Sequence, residues 1–270
     1  MKKIEAIDLF CGVGGLTYGL QQANIKVLAG LDNDESCEYS YKKNNSVNFI
    51  CKDVSNYDFK AMKKMYSKGS IKVLAGCAPC QTFSSHTFKV KNREKDVRWN
   101  MIDHFLRGIK TIEPDIISME NVRGITKTQV FSDFVKQVKK MKYKVSYEVV
   151  NCADYGIPQS RKRLIFLASK LGDIPVPQKT HTKENHIPIN QIIKAMPTLK
   201  SGDTCTKDKV HKSRNLSKLN IKRIQQSKPS GTWRDWDKVS PTITTQFTSP
   251  GSGMFIGQLL PLVSNILVKQ

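Results

Sequence analysis

Apolar and polar positions fall in alternating blocks along the first two thirds of the chain. The apolar run at 4–10 reads as a strand, a glycine-rich turn follows at 12–15, and 16–23 has helical spacing. A second strand is expected at 27–31, ending at Asp32, then a helix at 36–43. A short strand at 48–51 precedes Asp53, and a charged helix is expected at 58–68. The run at 71–75 is continuously apolar, as in a parallel strand buried on both faces. After an aperiodic stretch at 84–95, which reads as a mobile loop, helices are expected at 100–111 and 131–141. Strands at 115–119, 143–150 and 163–168 complete the pattern. This order predicts an α/β fold built on a doubly wound parallel sheet.

Past Leu171 the texture changes to proline, lysine and weakly periodic polar residues, which places a lobe boundary near residue 172. The last stretch, 258–269, is apolar and helix-like, long enough to pack back on the first lobe. With 270 residues, 39% of them hydrophobic, there is material for one large core and a smaller second lobe. No run resembles a signal peptide or a membrane span, so the expected location is the cytoplasm. Seven irregularly spaced cysteines then read as reduced thiols. The net charge of +21 points to a polyanionic partner. Residues 179–238 hold 14 basic and 5 acidic residues together with Trp233, Arg234 and Trp236, a mixture that suits nucleic acid.

Candidate chemistry sits at the ends of the expected strands. Pro79-Cys80-Gln81 follows the strand at 71–75, so the thiol faces the crevice where open α/β sheets bind ligands. Cys80 can be a nucleophile, a buried structural cysteine, or half of a Cys77/Cys80 redox or zinc pair; no second ligand pair supports a zinc site, and no metal is expected. Asp8, Gly12, Gly14 and Gly15 close one strand and open a helix, but lack the third glycine of a dinucleotide fingerprint and the lysine of a phosphate loop. Asp32 is placed to accept from a ribose diol and Asp53 to meet an adenine amine. A nucleoside without phosphates is what S-adenosylmethionine presents. Glu120 should reach the same crevice or cap a helix, and Arg161 and Arg163, two apart on one strand, should share a face suited to an anion or a carbonyl oxygen.

The ordered set Asp8-Leu9-Phe10-x-Gly12-x-Gly14-Gly15, Pro79-Cys80-Gln81-x-Phe83-Ser84, Asp96-x-Arg98, Glu120-Asn121-Val122 and Gln159-x-Arg161-x-Arg163 resembles the cytosine-5 DNA methyltransferases of bacterial restriction-modification systems. The resemblance spans residues 4–170. It implies a Rossmann-like catalytic domain at 1–172, a target-recognition region at 173–254 and a terminal segment at 255–270. Cys80 would add to carbon 6 of cytosine, after which carbon 5 takes the methyl group of S-adenosylmethionine. A free thiol has a pKa of about 8.5, so Arg161 or Arg163 would help ionise it. Glu120 would hydrogen-bond nitrogen 3 and the exocyclic amine, which requires it to carry or share a proton. Arg163 would bind the carbonyl at position 2, and Asn121 would hold the Pro79-Cys80 backbone.

By the same resemblance Phe10 would stack near the cofactor, with Leu16, Asn33, Val54, Pro79 and Gln258 completing its site. Gln81, Ser84, His86, Lys89, Lys91 and Arg98 would face DNA from the loop that closes over a flipped base, and Trp233, Arg234 and Thr244 from the recognition region. The family pattern breaks near the end. The Trp233-Arg234-Asp235-Trp236 and Pro241-Thr242-Ile243-Thr244-Thr245 segments nearly touch, the arginine-rich helix expected after Phe255 is absent, and Gln258 stands where asparagine is usual. A compact monomeric enzyme, a subunit completed by another polypeptide and a shortened chain all fit. The expected partners are double-stranded DNA and a cognate restriction endonuclease that does not bind stably, with no membrane. A non-catalytic DNA-binding member and a tRNA cytosine methyltransferase stand as alternatives. The tRNA enzymes carry a Cys-Phe-Thr signature that is not found here.

Overall fold

The structure, a computed structural model, describes residues 2–79, 101–194 and 237–241. These form two compact units. The first takes the described residues up to 150 together with 162–177, and the second takes 151–161 and the described residues from 178 onward.

The first unit carries a seven-stranded sheet of order β3-β2-β1-β4-β5-β8-β6. Its strands are β1 (Ile4–Leu9), β2 (Lys26–Asp32), β3 (Asn48–Cys51), β4 (Ile71–Gly76), β5 (Ile116–Val122), β6 (Lys144–Asn151) and β8 (Lys162–Ser169), while β7 (Gln159–Ser160) lies in the second unit. Strands β1 to β5 pair in parallel. Strand β8 departs from the expected parallel pattern and runs antiparallel to β5.

Helices cover the two faces of the sheet. On one, Ile7, Leu9, Leu74, Ile117 and Met119 pack with α3 (Phe59–Lys63), α4 (Met101–Ile112) and α5 (Gln129–Lys140) into the main core. Buried Ile102, Phe105, Leu106, Ile109 and Ile112 follow the helical repeat that puts one face of α4 against the sheet. On the other, Ala6, Val27 and Val73 meet Leu20 of α1 (Gly15–Gln22), and Tyr41 of α2 (Glu38–Asn45) packs on Phe49 and Cys11.

Several boundaries differ from the sequence reading. The third helix spans Phe59–Lys63 rather than 58–68, because the chain turns at Ser67, whose amide and hydroxyl are bound by the buried Glu5 carboxylate at 2.7 and 2.9 Å. Strand β5 extends to Val122, since Glu120 and Asn121 pair with Ile165 and Leu164 of β8. Arg161 and Arg163 do not share one strand: β7 ends at Ser160 and β8 begins at Lys162, with Arg161 between them. Among the described residues, no helix is long and apolar enough to cross a membrane.

In the second unit β7 pairs with β9 (Ser240–Pro241), and the Ile189 amide at the start of α6 (Ile189–Ile193) donates to the Lys238 carbonyl at 3.1 Å. Asp154 ties the described residues 179–186 to the start of this unit. Its carboxylate takes His186 Nε2 at 2.9 Å and Lys179 Nζ at 3.1 Å, and its carbonyl accepts from the Thr180 and His181 amides at 3.0 Å.

Candidate active site

The carboxyl ends of β4, β5 and the first residues of β8 bring four polar groups together. Gly76 is the last residue of β4, paired with Met119, so Cys77 comes alongside Glu120. A Cβ at Gly76 would lie 2.8 Å from the Leu9 carbonyl oxygen and 3.0 Å from the Phe105 ring, so the close approach of β4 to β1 needs glycine there. Burial alternates along β5, which sends Ile117, Met119 and Asn121 into the helix-covered core and Glu120 to the opposite face.

Each of these side chains has a definite partner. Arg163 pairs in the sheet with Val122, two residues from Glu120 on the same face, and the guanidinium spans that diagonal. Arg163 Nε stands 2.9 Å from Glu120 Oε1, and its Nη1 donates to the Lys162 carbonyl at 2.9 Å. The other carboxylate oxygen, Oε2, accepts from Cys77 Sγ at 2.7 Å. Cys77 is an exposed residue whose sulfur lies against the Glu120 carboxylate. Desolvation there pushes the thiol well above the ordinary thiol range, and the Glu120 and Asp8 charges push the same way against Arg163. On the core face, Asn121 Nδ2 donates to the Ala78 carbonyl at 3.2 Å, and its Oδ1 accepts from the Val122 amide at 2.8 Å. The backbone immediately before Pro79-Cys80 is therefore tied to β5.

A second group of residues gathers at the ends of β1, β2 and β3. Phe10, directly after β1, has a left-handed backbone with φ 59°, a conformation costing a non-glycine residue about 1 kcal/mol and often kept at functional sites. Gly14 caps α1 at φ 91°, where a Cβ would press on the Asn45 amide and the Tyr41 ring. Asp32 Oδ2 accepts from the Gly12 amide at 2.8 Å and Oδ1 from the Asp34 amide at 3.0 Å. The carboxylate thus latches the glycine loop to the end of β2. Asp53 Oδ1 accepts from the Ser55 amide at 2.8 Å, and that bond holds its carboxyl below the usual range. Asn33 and Pro79 are exposed, Gly15 and Leu16 are half-buried, and Val54 is buried, its carbonyl taking Arg107 Nη2 at 2.6 Å.

Asp8 points into the protein. It is 1% exposed, and its Oδ2 accepts from Thr17 Oγ1 at 2.8 Å, the same hydroxyl lying 2.9 Å from Tyr41 OH. Burial, helped by the Asp32 charge and opposed by Thr17, pushes its carboxyl up to about 7.

These three strand ends suit a nucleoside cofactor such as S-adenosylmethionine. A Cβ at Gly12 would meet nothing within 4 Å, which leaves room before the loop, and the Asp32 and Asp53 carboxylates stand at the ends of β2 and β3.

Cys80, Gln81, Ser84, His86, Lys89, Lys91, Arg98, Trp233, Arg234, Thr244 and Gln258 lie outside the described residues. Arg161 belongs to the second unit, where its carbonyl accepts from the Cys152 amide at 2.9 Å. Sequence reasoning missed Cys77 as the partner of Glu120, having weighed it only against Cys80; its place one residue after the glycine that ends β4 was the available signal. It also missed Thr17 and Tyr41, whose link to Asp8 depends on how α1 and α2 pack. Among the described residues, no group of three or more His, Cys, Asp or Glu is arranged to hold a metal ion.

The family described as C-5 cytosine-specific DNA methylase matches residues 4–259. The chain is 42% identical over 278 aligned positions to the type II methylase M.HgiDII of Herpetosiphon aurantiacus, covering 92% of this chain and 78% of that protein. It is 32% identical to the type II methyltransferase M.XorII of Xanthomonas oryzae pv. oryzae, covering 66% of this chain and 43% of that protein. A third relative, M.DdeI of Desulfomicrobium norvegicum, is 30% identical over 74% of this chain and 50% of its own. The chain thus spans about three quarters of the first relative and half or less of the other two. Among solved structures, the Entamoeba histolytica methyltransferase EhMeth superposes with a TM-score of 0.69 at 20% identity, covering 92% of this chain and 73% of that one. A putative DNA modification methyltransferase encoded within an E. coli prophage superposes with a TM-score of 0.67 at 20% identity, covering 98% and 88%. These two likenesses speak for the fold, the α/β Rossmann-like methyltransferase architecture. On the family match and the first relative, the chain belongs to the C-5 cytosine-specific DNA methylases.

Proposed function

We propose that this protein transfers a methyl group from S-adenosylmethionine to carbon 5 of a cytosine flipped out of duplex DNA, through a covalent adduct with Cys80. The observation that carries the reading is the Glu120–Arg163 pair at the end of β5, beside an Asn121 that fastens the Ala78 carbonyl two residues before Cys80.

Carbon 5 of cytosine is a weak nucleophile. Addition of the Cys80 thiolate at carbon 6 forms a carbon–sulfur bond and moves an electron pair toward carbon 5, which can then attack a methyl carbon. S-adenosylmethionine, which the Asp32 and Asp53 ends of the sheet would hold, would supply that methyl as an electrophile, its sulfonium carbon–sulfur bond breaking to leave S-adenosylhomocysteine. Glu120, carrying a proton when the base is bound, donates it to nitrogen 3 and accepts from the exocyclic amine, so the charge that builds in the ring during addition is neutralised at nitrogen 3. Arg163 orients Glu120 through Oε1 and brings positive charge toward the carbonyl at position 2. Loss of the carbon 5 proton to a base, with departure of the Cys80 thiolate, restores the aromatic ring. The target atom is shielded in the duplex, so unstacking at a cost of a few kcal/mol precedes chemistry. The excess of 44 basic over 23 acidic residues favours the phosphate contacts that this requires.

Double-stranded DNA is thus the proposed substrate, and a restriction endonuclease of the same system the proposed functional partner. The test is transfer of labelled methyl from S-adenosylmethionine to mixed-sequence duplex DNA, comparing wild type with Cys80→Ser. Incorporation by the wild type alone is expected. Cofactor binding without incorporation on any DNA would instead favour a subunit that needs a second polypeptide, or a non-catalytic DNA-binding member. Incorporation into tRNA but not DNA would reassign the substrate.

A further inference from the structure

We propose that Cys77 is a positioning residue for Glu120: its thiol hydrogen holds Oε2 while Arg163 holds Oε1, so the carboxyl is oriented before a base arrives. The inference rests on the role given to Glu120 above, and extends it to a side chain outside the proposed chemistry.

The geometry singles out Cys77. Its sulfur is 2.7 Å from Glu120 Oε2, and its amide donates to the Leu9 carbonyl at 3.2 Å, so the residue is fixed by β1 while its side chain addresses β5. Among the described residues, the charged groups acting on the thiol are Glu120, Asp8 and Arg163. Two of these are acidic and Glu120 is in contact, so Cys77 stays a neutral thiol with its hydrogen available to donate. A neutral donor on Oε2 and a cation on Oε1 fix the plane of the carboxyl group at both ends. An alanine at 77 would remove the thiol donor from Oε2 and loosen Glu120 about the Arg163 contact. A serine would keep a donor, drawn back by the shorter carbon–oxygen bond.

The same arrangement makes Cys77 a competitor for the substrate. Base binding at Oε2 must displace the thiol hydrogen or share the oxygen with it. Cys77 therefore acts on the productive orientation of the bound base more than on DNA affinity, and its removal should appear in kcat rather than KM.

Two measurements on the full chain decide the proposal. In the first, the infrared S–H stretch of Cys77 is isolated as the difference between wild type and Cys77→Ser. It should lie below the frequency of a free thiol and move upward in Glu120→Gln. A band at the free-thiol frequency that ignores Glu120→Gln would overturn the proposal, and this readout needs no methyl transfer. In the second, methyl transfer by Cys77→Ala should fall about tenfold in kcat with KM little changed, as for loss of one hydrogen bond to a charged acceptor, and Cys77→Ser should recover most of it. Equal activity in wild type, Cys77→Ala and Cys77→Ser would overturn it. A wild type that methylates nothing refutes the proposed reaction, while the infrared arm still reports whether Cys77 holds Glu120.

Discussion

Arg163 Nε meets Glu120 Oε1 at 2.9 Å across an antiparallel strand pair, because its own sheet partner, Val122, lies two residues further along the same face. Both side chains are mostly buried, with 20% and 27% of their surfaces exposed, so neither is a freely solvated surface ion. Glu120→Gln should lower kcat for methyl transfer by roughly two to three orders of magnitude, the scale for losing one group that stabilises charge in a transition state. Arg163→Lys should fall nearly as far, since an ammonium cannot hold Glu120 and a carbonyl in a planar fork. Steady-state kinetics with labelled cofactor measures both.

Asp32 uses both carboxylate oxygens on backbone amides, those of Gly12 and Asp34. Asp32→Ala should weaken S-adenosylmethionine binding by about 10- to 100-fold, as expected for charged hydrogen bonds, through the lost diol acceptor and a loosened glycine loop. Isothermal titration calorimetry without DNA separates this from any effect on base flipping. Unchanged affinity would remove Asp32 from the cofactor site.

The strands were legible because buried parallel strands appear as short apolar runs between polar breaks, and β3 matches its expected bounds of 48–51. What one sequence did not carry were the events set by distant partners. The reversed direction of β8 depends on its pairing with β5. The early end of α3 depends on Glu5, 62 positions before the Ser67 it binds. Glu120 and Asn121 looked like a strand end because polar residues usually mark one, yet both remain in the sheet. Glu120 and Arg163 could be nominated from motif order, whereas the Cys77 contact needed the parallel register of β4 and β5.

Glu5 gives a pH-dependent test of the fold. Burial alone would raise its carboxyl, but the Ser67 amide and hydroxyl together with Lys26 outweigh it and hold the carboxyl below the usual 4.5. Its stabilising contribution is complete above that ordinary value and is lost as pH falls through the lowered one. Glu5→Gln should therefore melt about 2–4 °C below wild type at neutral pH, the scale of about 1 kcal/mol in a chain of this size. The gap should close in acid, as thermal melts from about pH 7 down to about pH 3, a span that brackets the carboxylate range, would show.

Asp8 should behave in the opposite sense. Its carboxyl ionises near 3.8 in an unfolded chain and is pushed up to about 7 by burial in the folded one. Between those values the folded state holds a proton that the unfolded state has lost, so stability from this group falls as pH rises through the window. Asp8→Asn carries no such titration. Its melting temperature relative to wild type should climb from about pH 4 and level off above about pH 7. A difference that stays constant across that range would show that Asp8 is not buried as a neutral acid.

Covalent trapping on duplex DNA containing 5-fluorocytosine, with S-adenosylmethionine present, tests nucleophilic addition by Cys80 most directly, because fluorine at carbon 5 blocks the final elimination. The wild-type protein should form a complex that survives denaturing electrophoresis, and Cys80→Ser should form none. A wild-type protein that binds both cofactor and this DNA, methylates unmodified duplex, and still yields no stable complex would contradict addition of Cys80 to the cytosine ring.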